Sequence, residues 1–94
     1  MANIIINVQH KDGRFFVVID GKEAELLYRI NGNKMDIYHV FTLPELRGRG
    51  IAEQLAIAAF NYAKQKKIRV IPSCPYISET FLRKHKEFNN VVEQ

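Results

Sequence analysis

Three features of this chain have residue types and spacings that can do chemistry. Gly48 and Gly50 flank Arg49, one residue after Arg47 and directly before a run with helical periodicity. A helix N-terminus leaves amide N–H groups unpaired and carries partial positive charge, so it attracts anions. Glycines here let the backbone turn several amides towards one point, and they remove side chains that would hold a phosphate at a distance. Arg47 and Arg49 can add charge-assisted contacts. The same spacing also suits a plain strand-to-helix turn with solvated arginines. It is neither a Walker loop, since no Gly-Lys-Ser/Thr follows, nor a dinucleotide fingerprint, since there is no G-x-G-x-x-G. The second feature, His39, is either a base with an ordinary pKa near neutrality or a hydrogen-bonded strand histidine. The third, Cys74, is either a thiol that a helix start after Pro75 would activate or a small buried side chain at a strand end.

Strands and one helix must position these residues. Short runs rich in Ile, Val, Phe and Tyr, broken by Gly, Asn and Asp turns, predict strands over residues 4–8, 14–19, 23–30 and 34–42. Strict alternation in the fourth puts Met35, Ile37, His39 and Phe41 on one face and Asp36, Tyr38, Val40 and Thr42 on the other. Beyond the glycines the period changes. Ala52, Leu55, Ala56, Ala59, Phe60 and Ala63 follow the spacing of one helix face, with Glu53, Gln54, Asn61, Lys64 and Gln65 outside. Residues 68–73 read as a short strand, giving a β-α-β unit with parallel strands and a right-handed crossover. Residues 76–86, with Ile77 and Phe81 four apart, predict a shorter helix, and 88–92 an edge strand or docked tail. The fold class expected is α+β: an antiparallel meander running into a β-α-β unit with a mixed sheet and two helices.

Ninety-four residues with 47% hydrophobic content, including six Phe and four Tyr, suit one domain spanning residues 1–94. No apolar run is long enough to span a bilayer and the N-terminus lacks the order of a secretory signal, so a cytoplasmic protein without a membrane partner is expected. A lone cysteine gives no internal disulfide. The net charge of +4 favours an anionic ligand without identifying one. No His/Cys/Asp/Glu cluster has metal-ligand spacing, so no metal is expected.

Arg47-Gly48-Arg49-Gly50-Ile51-Ala52 matches the Arg/Gln-x-x-Gly-x-Gly/Ala signature of the GCN5-related N-acetyltransferases. The stretch from Leu43 to Phe88, with its Cys74-Pro75 strand end and Arg83-Lys84-His85 segment, resembles the minimal branch of that superfamily. This resemblance implies acetyl-CoA as cosubstrate and an amine acceptor, on a small molecule or a protein. It assigns Arg47, Gly48, Arg49, Gly50, Ile51 and Ala52 to the coenzyme A diphosphate, and the backbone of Phe41, Thr42 and Leu43 to its pantetheine arm.

Acetyl transfer needs a base, oxyanion donors and often an acid for the leaving thiolate. Where the minimal branch commonly reads His-Thr-Glu-Val, this chain has His39, Val40, Phe41 and Thr42, so the histidine is kept and the glutamate is absent. His39 is then the candidate base, Cys74 a candidate to assist or transiently accept acetyl, and Tyr76 a candidate acid. Arg83, Lys84 and His85 are basic groups that can approach the adenosine phosphates. Two other functions suit the sequence: a coenzyme A-binding module without transfer, favoured by the missing glutamate, and a small basic nucleic-acid-binding domain, which no RNP-like pattern or helix-turn-helix supports.

Overall fold

Two-residue turns set the sheet's connectivity. The computed structural model describes residues 7–93. Its five strands, β1 Gln9–Lys11, β2 Arg14–Ile19, β3 Lys22–Asn31, β4 Lys34–Thr42 and β5 Arg69–Pro72, lie side by side in chain order. The first four are antiparallel neighbours, and β5 runs parallel to β4. Asp20 and Gly21, at φ 52° and 76°, form the left-handed pair that matches the twist of a tight hairpin between β2 and β3.

The expected strand over residues 4–8 is corrected. Residues 4–6 lie outside the described residues, Asn7 and Val8 are in no strand, and β1 is Gln9–Lys11. From the sequence, the first strand ends at Val8 and His10-Lys11-Asp12-Gly13 is the turn before the second. Asp12 and Gly13 suffice to reverse the chain, which frees His10 and Lys11 to pair with Phe15 and Arg14.

The alternation expected for β4 fails at one point. Leu27 pairs with His39 but Tyr28 pairs with Ile37, so Tyr38 is an extra residue in a bulge. One inserted residue exchanges the faces of everything after it. Met35 and Ile37 therefore enter the core, whereas His39 and Phe41 are exposed on the sheet's open face instead of sharing the Met35 side.

Helix α1, Ile51–Lys66, buries Ile51, Leu55, Ala56, Ala59, Phe60 and Ala63 against the sheet. Its alanines let the helix approach closely, and Phe60 fills the centre, with Phe81 and Phe88 each 5.2 Å away between ring centroids. The chain leaves α1 through Lys67, whose positive φ of 59° ends the helix. The predicted helix over residues 76–86 is instead a wide π-type segment over Tyr76–Phe81 that tightens into the short α2, Leu82–Lys84. A 3-10 turn over Lys86–Val91 docks Phe88 and Val91, and a parallel bridge joins Val92 to Val70, so the tail is docked against the sheet without adding a strand to it. No helix of the described residues is long and apolar enough to cross a membrane.

At the other end of the sheet the His10 ring stacks on Phe15 at 4.0 Å, meets Tyr62 edge-on at 4.6 Å and hydrogen-bonds the Tyr28 hydroxyl. Partial burial lowers the His10 pKa, with Asp12 opposing. A folded pKa below the unfolded one means that stability is fully present above the unfolded value, about 6.5, and is lost as pH falls through the folded value. Thermal melts at pH 7 and pH 5 should therefore show a smaller loss in a His10→Gln variant than in the wild type.

Candidate functional site

The site begins where two strands part. The pairing of β4 with β5 ends at Ile37 opposite Pro72, and the Cys74 N–H closes the junction by donating to the Ile37 carbonyl at 2.9 Å. Beyond that point residues 39–42 of β4 pair only with β3, so one edge of the strand has no strand neighbour. A cavity of about 370 Å³ lies there, bounded on the strand side by Val40, Phe41 and Thr42. An unpaired strand edge presents N–H and C=O groups to whatever lies alongside it. Thr42 Oγ1 is buried and has no hydrogen-bond partner among the described residues, which is unusual for a polar atom in a folded protein.

The glycine turn forms the cavity floor. Gly48 and Gly50 have φ of 82° and 75°, and Gly50 caps α1 from the left-handed region without a side-chain cap. The first intrahelical bond recorded at this end runs from Gln54 N–H to Gly50 O, so the amides of Ile51, Ala52 and Glu53 precede the helical ladder. A Cβ at Gly48 would meet no protein atom within 4 Å; the space above it is open. Gly48, Gly50, Ile51 and Ala52 all line the cavity. Arg47 lines it too, with Nε donating to the Thr42 carbonyl at 3.2 Å. Arg49 is exposed and Leu43 packs on the core; neither lines the cavity.

Tyr76, Thr80 and Lys84 make the opposite wall. Their spacing of four was a legible helical signal, yet Thr80 carried no sequence assignment. Burial, then the charges of Glu53 and Cys74, push the Tyr76 pKa up to about 12. The hydroxyl therefore stays protonated and available as a donor well above neutrality. An ultraviolet titration should detect no ionisation of Tyr76 at pH 10, seen as no difference there between the wild type and Tyr76→Phe.

His39 and Cys74 are not brought together in the cavity lining. His39 is exposed on the open face, its ring 6.3 Å from that of Phe41. Cys74 is buried in the core cluster, near Tyr76 but outside the lining. Glu53, expected on the outer side of α1, lines the cavity and contacts His85. No local spacing could have joined them, since 32 residues separate the pair. Among the described residues no group of three or more His, Cys, Asp or Glu side chains could hold a metal ion.

A mixed sheet whose fourth and fifth strands part over a glycine turn, with a helix rising from that turn, defines an α+β domain of the acetyltransferase type. Three comparisons agree. The family described as GCN5-related N-acetyl-transferase matches residues 14–91. Protein NATD1 of Xenopus tropicalis is 35% identical over 79 residues, covering 79% of this chain and 72% of the relative. The Bos taurus protein of that name is 35% identical over 79 residues, covering 79% and 70%. A solution NMR structure of a GCN5-like protein from Staphylococcus aureus superposes with a TM-score of 0.74 at 25% identity, over 99% of this chain and 91% of that one. The chain belongs to the GCN5-related N-acetyltransferase family, whose cosubstrate is acetyl-CoA.

Proposed function

We propose that this protein binds acetyl-CoA in the cavity between β4 and the Tyr76–Lys84 wall and transfers its acetyl group to an amine. The observation that carries this reading is the meeting of an unpaired strand edge with an uncapped helix start entered through two left-handed glycines. The amides at Gly48, Gly50, Ile51 and Ala52 hold the diphosphate, with the Arg47 guanidinium beside them and exposed Arg49 reaching the outer phosphates. The backbone of Phe41, Thr42 and Leu43 pairs with the amides of the pantetheine arm, and the orphaned Thr42 hydroxyl gains a partner. Tyr76, held in its protonated form, supplies a proton to the departing thiolate. His39, on the open face beside the end of the β4–β5 pairing, accepts the proton of the incoming amine. Cys74, at the strand junction, is the candidate for transient acetylation.

A second reading keeps the coenzyme site without efficient transfer. It is favoured by Val40 and Phe41 at the family's Thr and Glu positions and by two candidate catalytic residues that lie outside the cavity lining. Incubation with labelled acetyl-CoA and a panel of small amines and lysine peptides, followed by intact mass and peptide mapping, separates the two. Label on an amine is the expected result; coenzyme binding with no transfer to any acceptor supports the second reading. An acetyl adduct at Cys74, and its loss with reduced turnover in Cys74→Ser, is expected if the thiol carries acetyl.

A further inference from the structure

Glu53 is the only acidic side chain among the described residues lining the cavity, and it stands in the first turn of α1 beside Gly48, Gly50 and Ala52. A free carboxylate at that place would repel a diphosphate and compete with it for the amides of the helix start. It is not free. Its Oε2 meets Nε2 of His85, with the two side chains only 25% and 19% exposed. The His85 ring lies on the face of Phe81, 4.6 Å between centroids, and 6.4 Å from Phe88, so packing fixes its orientation. Its other nitrogen, Nδ1, is 3.4 Å from Glu87 Oε2. With a carboxylate oxygen at each ring nitrogen, only the doubly protonated imidazolium can donate to both. The charges around it are Glu53 from α1, Glu87 from the turn that follows, Lys64 of α1 acting on Glu87, and its chain neighbours Lys84 and Lys86.

We infer that His85 is a positioning residue that sets affinity for the coenzyme. As an imidazolium it neutralises Glu53 and holds the carboxylate off the anion seat, so that the start of α1 accepts phosphate. The same contact ties the first turn of α1 to the end of α2 and fixes the separation of the cavity's two walls. This rests on the coenzyme A reading above.

The test is calorimetric titration of coenzyme A into the wild type, His85→Gln, His85→Arg, Glu53→Gln and the Glu53→Gln/His85→Gln pair, with a melting temperature for each. His85→Gln is expected to bind about tenfold more weakly, because it leaves a partly buried charge facing the phosphates. His85→Arg, which keeps a cation, should stay near the wild type. Glu53→Gln should bind more tightly than the wild type, and the double variant should recover the affinity that His85→Gln loses, whatever its melting temperature. Weakening in Glu53→Gln as large as in His85→Gln, with no recovery in the pair, would mean a structural tie only and overturns the inference. Failure of the wild type to bind coenzyme A overturns the functional reading itself, and it is seen before any substitution is compared.

Discussion

A Gly50→Val variant is expected to lose coenzyme A affinity by at least about a hundredfold, the equivalent of two charge-assisted hydrogen bonds. Gly50 sits at φ 75° as the cap of α1. A β-branched residue is a genuine outlier there, and staying costs on the order of 1–2 kcal/mol. Escaping that strain means rotating the turn, which swings the amides of Ile51 and Ala52 off their common target. Either way the valine methyls enter a position that lines the cavity. Titration of coenzyme A gives the affinity, and a thermal melt reports the strain separately. Wild-type affinity in a folded Gly50→Val protein would mean that the turn is a connector and nothing more.

The second large effect is on stability. Phe60→Ala should cost about 3–5 kcal/mol, a large share of the 5–15 kcal/mol that holds a domain of this kind together. Phe60 has 0% exposure and lies at the junction of three units: α1, the segment carrying Phe81 and the turn carrying Phe88. Truncation opens a void that a close-packed neighbourhood fills only in part. Because Phe81 belongs to the segment that also bears Tyr76 and Thr80, the loss should reach the cavity wall and weaken coenzyme binding as well. Urea unfolding followed by circular dichroism measures the first effect. A loss below about 1 kcal/mol would show that the site has collapsed around the smaller side chain and that Phe60 is not the central packing element.

Helix α1 was the most legible element, because five of the six positions assigned to its inner face, Leu55, Ala56, Ala59, Phe60 and Ala63, are buried, with Ile51 buried beside them. The exception is informative. Ala52 is only half-buried and lines the cavity, where a small side chain leaves room. The glycine turn was legible as well, since positive φ is a property of single residues that glycine advertises. The bulge at Tyr38 was not. Nothing in Asp36-Ile37-Tyr38-His39 marks an inserted residue, so unbroken alternation placed His39 and Phe41 on the wrong face.

The wide turn over Tyr76–Phe81 was equally hidden, because its i, i+4 apolar pair Ile77 and Phe81 suits an ordinary helix too. The parting of β4 from β5, which makes the cavity, follows from where pairing stops; residue types along one strand carry no record of that. The Glu53–His85 contact is tertiary in the same sense. It joins the start of one helix to the end of another, and neither residue carries a local signal of the other.

The central claim is that the turn from Arg47 to Ala52 seats the diphosphate of coenzyme A while the free edge of β4 receives the pantetheine arm. Amide chemical-shift mapping during a titration with coenzyme A tests it residue by residue. Saturable shifts are expected, largest at Gly48, Gly50, Ile51 and Ala52, with a second set at Val40, Phe41 and Thr42 and at Tyr76 across the cavity. No shift at these amides at millimolar coenzyme A, or shifts confined to exposed Val18 and to Tyr38, on whose ring the Arg29 guanidinium lies, would contradict it.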